Sequence, residues 1–157
     1  RQPRFFSKAV SQEIMTLLEK ANRSILLKRE QLYLDLFLFS YYAGGMSGID
    51  VCHMERNWIQ SGTIEYEGAV SDKAAAIIAK YARESSVNYV FPVFSKRDMS
   101  VSSRMDRVNY VNKGVNQLLR KLCGELNIDK KITWSAARSS FIATMVDAGY
   151  LIMQYVK

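Results

Sequence analysis

Ser135-Ala136-Ala137-Arg138 is the stretch of this sequence best suited to hold an anion. If Ser135 caps the helix that starts there, Arg138 lies in the first turn, beside backbone N–H groups without an intrahelical partner. A helix start already attracts anions, and a guanidinium fork adds two parallel hydrogen bonds to phosphate oxygens. Together they suit a phosphodiester, although an arginine near a helix start also serves as a plain solvated charge. Other chemistry is poorly supplied. His53 is the only histidine, so a Ser-His-Asp or Cys-His hydrolase would rest on that single base. Cys52 and Cys123 are far apart, and a tetrahedral zinc site built on them would have to recruit carboxylates. Two buried structural thiols are expected, with no metal and no cofactor.

The elements that position Arg138 read mostly as helices. Residues 135–149 form the last of them, with Ala137, Phe141 and Met145 on one line and Gly149 just past its end. The longest runs over Asp106–Leu126. Val108, Val111, Val115, Leu118, Leu119 and Leu122 make its apolar stripe, and Arg107, Lys113, Arg120 and Lys121 occupy the other faces. Ser11–Leu27 has Ile14, Leu17, Leu18, Ala21 and Ile25 at helical spacing, and Ser71–Glu84 has Ser71 or Asp72 as its cap. Leu32–Tyr42 alternates in part like a strand, but its leucine content and length favour a buried helix that Gly44-Gly45 stops. A short helix is expected over Ile49–Met54, a strand over Thr63–Tyr66, and an extended or loop segment around Pro92. The predicted class is mainly α (α+β), with a small antiparallel sheet.

Composition sets the outer limits. A chain of 157 residues is the size of one domain with a real core. Lys and Arg number 22 against 15 Asp and Glu, and a net charge of +7 fits a polyanionic partner as well as a merely basic soluble protein. The most apolar run, Leu32–Tyr42, is too short to span a bilayer and carries Asp35. No secretory leader follows Arg1-Gln2-Pro3-Arg4, so the expected location is cytoplasmic.

Several segments together resemble the tyrosine recombinases, the phage-integrase-like DNA strand-exchange proteins. Ile132-Thr133-Trp134-Ser135-Ala136-Ala137-Arg138-Ser139-Ser140-Phe141 is similar to the box that holds their second active-site arginine. Leu36 to Met46, followed by Ile49-Asp50-Val51, resembles the first box of Bacteroides-type integrases. Phe5-Phe6-Ser7-Lys8, Tyr89-Val90-Phe91-Pro92 and Val111-Asn112-Lys113 through Leu118 recur in the expected order, so the likeness covers nearly the whole chain. It implies the helical catalytic domain, residues 1–157 forming one unit. It also implies cleavage of duplex DNA by a tyrosine, a 3′-phosphotyrosyl intermediate, and rejoining to a 5′-hydroxyl of another strand. Cationic side chains, not a metal, would stabilise the developing charge.

Residue by residue, the resemblance is uneven. Arg138 matches the second arginine. Ser135 stands where the family has a histidine, and Ser139 where many members have another; a serine donates one hydrogen bond to phosphate but carries no charge. The first-box arginine falls at Ser47 or, in the Bacteroides-type variant, at Gly44, and neither is basic, while Asp50 matches the acidic position that follows. After Tyr66 a hairpin bearing the catalytic lysine is expected, yet the chain runs almost directly into Ser71. After Tyr150 a further helix and a third box are expected, yet Leu151-Ile152-Met153-Gln154-Tyr155-Val156-Lys157 follows at once. Either residues are missing from the chain at both joints or they are deleted. The tail resembles the nucleophile segment and makes Tyr155 the matching tyrosine.

The expectation is therefore a DNA integration and recombination enzyme with an incomplete catalytic set. Arg138 would grip the phosphate, Ser135 would support it and Tyr155 would attack. Double-stranded DNA is the partner, with assembly into a synaptic tetramer by resemblance, and no membrane or small-molecule substrate. Two alternatives stay open: a DNA-binding module of the same fold that does not cleave, and a helical protein–protein module. Arg1-Gln2-Pro3-Arg4 reads as the end of an interdomain linker, so the chain is expected to be a fragment lacking upstream DNA-binding domains.

Overall fold

The computed structural model describes residues 8–60, 63–64, 68–69, 71–84, 88–98, 100–147 and 149. Within them lie six α-helices: α1 (Gln12–Glu19), α2 (Lys28–Tyr42), α3 (Gly48–His53), α4 (Asp72–Tyr81), α5 (Val101–Glu125) and α6 (Ala136–Asp147). The helix α2 is the hub, with α3, α4, α5 and α6 all packed against it. Its sequence explains this position. Every residue from Tyr33 to Ser40 is buried, and a helix that is apolar on all sides must be surrounded by others. The alternating leucines of this segment thus belong to a helix.

One charge lies inside this hub. Asp35 is 2% exposed; it forms an ion pair with Arg23 at 2.7 Å and accepts from Lys80 at 2.8 Å and from the Tyr81 hydroxyl. The carboxylate therefore ties α2 to α4 and to the short 3-10 turn Arg23–Ile25. That turn corrects the expected long helix over Ser11–Leu27. The helix α1 ends at Glu19, Asn22 caps the new turn by accepting from Ser24 N–H, and Leu17 and Ile25 are 44% and 56% exposed.

The long helix α5 starts at Val101, five residues before the expected position. Ser100 caps it, accepting from the Ser103 N–H at 3.0 Å, a signal the apolar stripe alone did not carry. Val111, Val115, Leu118 and Leu122 are buried as the periodicity predicts. At the far end Asn127 takes φ 56°, a left-handed residue suited to closing a helix. Residues Val90, Phe91, Val93 and Phe94 are buried without forming a regular strand, and Val90 N–H donates to the Met54 carbonyl.

The α+β expectation, with a small antiparallel sheet built around Thr63–Tyr66, is corrected. Helices carry this fold, and no sheet layer forms among the described residues. Pairing among the described residues amounts to three two-residue segments, Ile59–Gln60, Thr63–Ile64 and Gly68–Ala69, joined edge to edge, and one isolated antiparallel bridge between Glu55 and Tyr89. Ordinary strands run to about five or six residues, and segments this short cannot bury a face. The joint after Tyr66 lies within the described residues only at Gly68–Ala69 and Ser71, and the joint after Gly149 lies outside them. No helix among those described is long and apolar enough to cross a membrane.

Candidate functional site

Two turns bring the segments Leu36–Met46 and Ile132–Phe141 together. The helix α2 stops in a reversal at Gly44 and Gly45, with φ of 77° and 79°, a region that favours glycine. The Gly45 N–H bonds back to the Ser40 carbonyl at 2.9 Å, while its own carbonyl accepts from Arg138 Nη1 at 3.0 Å. These partners are 93 positions apart in sequence. A β-carbon on Gly45 would lie 3.3 Å from Arg138 Cα, so the absence of a side chain is what lets α6 approach.

Trp134 forms the second tie. Its indole Nε1 donates to the buried Ser40 hydroxyl at 2.9 Å, and its backbone N–H donates to Asn116 Oδ1 at 2.8 Å. The ring lies against Gly48, where an added β-carbon would stand 3.0 Å away. Ser47 caps α3 by accepting from the Asp50 N–H at 3.2 Å. Ser47, one of the two positions with Gly44 at which the resemblance would place a first arginine, thus serves as a helix cap.

Between these ties lies a cavity of about 290 Å³. The turn Met46–Ile49 forms one wall, Val108, Asn109 and Asn112 of α5 a second, and Trp134, Ser135 and Arg138 the third. Arg138 is the one charged residue among these lining residues. Met46, Ile49, Val108 and Trp134 make most of the surface apolar, and Ser47, Ser135, Asn109 and Asn112 supply neutral polar groups. Such a cavity can bind one phosphate group through Arg138 and neutral donors. It holds no histidine, carboxylate or lysine among its described lining residues to move a proton.

The start of α6 leaves Ser135 at the expected cap position, its carbonyl accepting from the Ser139 N–H at 3.4 Å. The first helical residue is Ala136. Ala136 and Ala137 N–H groups already donate to the Thr133 and Trp134 carbonyls at 2.9 and 3.1 Å, so these two are not open to an anion. Ser135 is exposed, with its hydroxyl 3.0 Å from Thr133 Oγ1. The buried face of α6 includes Ala136, Ser139, Ser140 and Ile142, while Phe141 and Met145 are only half-buried. Ser140 is buried because its hydroxyl accepts from the Val10 N–H at 2.8 Å.

Tyr155 lies outside the described residues, as do Tyr66 and Tyr150. No tyrosine is among the described residues lining the cavity. Burial, reinforced by the Glu19 and Asp35 carboxylates respectively, pushes the Tyr42 and Tyr81 phenols well above their ordinary range. Burial also raises Tyr33 and pushes the Cys52 thiol up to about 12. His53 is accounted for locally: Nδ1 lies 2.9 Å from the Ile49 carbonyl, and the ring packs on Phe94. No cluster of three His, Cys, Asp or Glu suited to a metal occurs among the described residues.

Sequence reasoning missed Gly45, Trp134, Asn109 and Asn112 as site residues. The two asparagines are three apart on α5, where exposed neighbours beside an apolar stripe were the available signal. Compared with known proteins, the chain matches no family model, no curated protein and no solved structure.

Proposed function

We propose that this chain binds duplex DNA in the cytoplasm and exchanges strands as a tyrosine recombinase does. The observation that carries the reading is the meeting of two sequence-distant segments, Gly44–Ile49 and Trp134–Arg138, around one cavity. Arg138 takes the scissile phosphate, and Ser135 adds a neutral hydrogen bond where a histidine would add charge. The Tyr155 hydroxyl attacks phosphorus, the bond to the 5′-oxygen breaks, and the phenolic proton leaves with that oxygen. A 3′-phosphotyrosyl link and a free 5′-hydroxyl result, and a 5′-hydroxyl from another strand reverses the step. Self-association on DNA brings that second strand.

A second reading is favoured by one observation: the described lining residues include no cation besides Arg138. On that reading the protein holds DNA without cutting it, because one arginine stabilises the pentavalent charge less well than a full set.

A duplex nicked close to the cleavage site separates the two. Cleavage releases a short fragment that diffuses away, and the protein stays covalently attached. The first reading expects a denaturant-resistant adduct, lost in Tyr155→Phe while binding and folding persist. Salt-sensitive binding without an adduct selects the second. An adduct on another tyrosine removes Tyr155 from the site, and absence of duplex binding removes both readings.

A further inference from the structure

A second cavity, of about 580 Å³, opens where α5 meets the loop leading to Trp134. Arg120, Lys130 and Lys131 line it with Asp129, Asn116 and Thr133. Three cations against one carboxylate leave a net charge of +2 at its wall. The Lys130 ammonium is committed, donating to the Ala9 carbonyl. Arg120 and Lys131 are exposed, and among the described residues no ion pair or hydrogen bond engages their charged ends. Lys121, next in sequence to Arg120, shows the contrast: it pairs with Glu30 at 3.5 Å.

The position of this cavity gives it meaning. Thr133 lines it and Ser135 lines the Arg138 cavity, so the two sites sit on either side of Trp134. Two residues of extended chain span at most about 7 Å. Asn116 adds a fixed link, since it lines the second cavity and holds the Trp134 N–H. A DNA strand presents a phosphate for every ~3.4 Å of helix axis, so a strand that leaves Arg138 along this wall would bring another phosphate to it within a few nucleotides.

We propose that the Arg120–Lys131 cavity is a second phosphate seat, taking a backbone phosphate of the same DNA near the one held at Arg138. This rests on the DNA-binding reading above. The guanidinium fork of Arg120 and the point charge of Lys131 suit phosphate oxygens. The seat sets the register of the strand and takes no part in the chemistry.

The test compares the whole chain with Arg120→Gln/Lys131→Gln and with a charge-matched pair outside the cavity, Lys28→Gln/Arg83→Gln. Binding to a fluorescein-labelled mixed-sequence duplex is followed by anisotropy at a series of KCl concentrations, with folding checked by circular dichroism. The cavity pair is expected to lower the slope of log affinity against log salt by roughly 1, for the one phosphate no longer neutralised. The control pair should leave the slope near the parental value. A parental slope in the cavity pair, or equal losses in both pairs, overturns the seat while leaving DNA binding intact. A parent that does not bind the duplex overturns the DNA reading, and the seat with it.

Discussion

Replacing Gly45 with alanine would strain the seam on which Arg138 rests. Its φ of 79° is left-handed, and the new β-carbon would meet Arg138 Cα at 3.3 Å and Phe141 Cβ at 3.4 Å. The backbone conformation costs an L-residue about 1–2 kcal/mol. Crowding against a backbone atom, which cannot rotate away, adds about 1–2 kcal/mol, and the stiffer unfolded chain returns about 0.5–1 kcal/mol. The net loss is about 2–3 kcal/mol, a fall in Tm of roughly 5–10 °C for a domain of this size. Two other glycines separate the contributions. Gly149 has φ 86° with nothing within 4 Å of an added β-carbon, so Gly149→Ala carries strain alone and should cost about 1 kcal/mol. Gly124 sits in α5 with the same open space, and Gly124→Ala should stabilise by about 0.5 kcal/mol. Urea or thermal unfolding should rank Gly124→Ala above the parent, then Gly149→Ala, then Gly45→Ala. Gly45→Ala should also weaken duplex binding where Gly149→Ala does not. A Gly45→Ala protein as stable as Gly149→Ala would show that α6 does not press on the turn, and the packing argument would fail.

Other perturbations reach the supports of the site. Asp35→Ala strands Arg23, Lys80 and the Tyr81 hydroxyl; because the two cations are 29% and 44% exposed and can turn to water, about 3 kcal/mol is expected in urea melts. Lys80→Met should cost under about 1 kcal/mol, its ammonium being partly solvated. The Leu27 N–H bond to Glu30, at 2.9 Å, helped by Lys121, holds the Glu30 carboxyl below its ordinary range. A depressed folded value means stability present above the unfolded pKa and lost as pH falls through the folded one, so Glu30→Gln should flatten the acid limb of urea midpoints between about pH 5 and 3. Arg138→Ala gives up the Gly45 hydrogen bond, about 1 kcal/mol of stability, but should reduce duplex affinity far more, with Arg138→Lys between them; equal losses of folding and binding would make Arg138 structural.

Much of the scaffold is legible in the sequence because periodicity reports burial directly. The stripe of α5 and the stop after α2 are written in Val111, Val115, Leu118, Leu122 and the glycine pair. What escapes is decided by single hydrogen bonds. Ser100 extends α5 backward, Asn22 cuts α1 short, and the Thr133 and Trp134 carbonyls use N–H groups that an uncapped helix start would have offered to an anion. Arg138 is visible as a candidate from its spacing alone. Its neighbours are not, since the placement of Gly45 and Trp134 beside it depends on how α2, α5 and α6 cross. The expected sheet failed for a related reason: Thr63 and Ile64 favour a strand locally, but the described pairing around them extends over only two residues in each segment.

The clamp on Trp134 also makes the protein its own optical reporter. The chain holds two tryptophans, Trp58 and Trp134, and only the second lines the Arg138 cavity. Its indole is 3% exposed and fixed at Nε1 by Ser40, so its emission reports on a single, well-defined environment. Substituting Trp58→Phe leaves that one emitter, and an anion entering the cavity alters the field around the ring. On the DNA-binding proposal, occupancy at Arg138 would then be followed by light alone, on unlabelled protein and with unlabelled DNA.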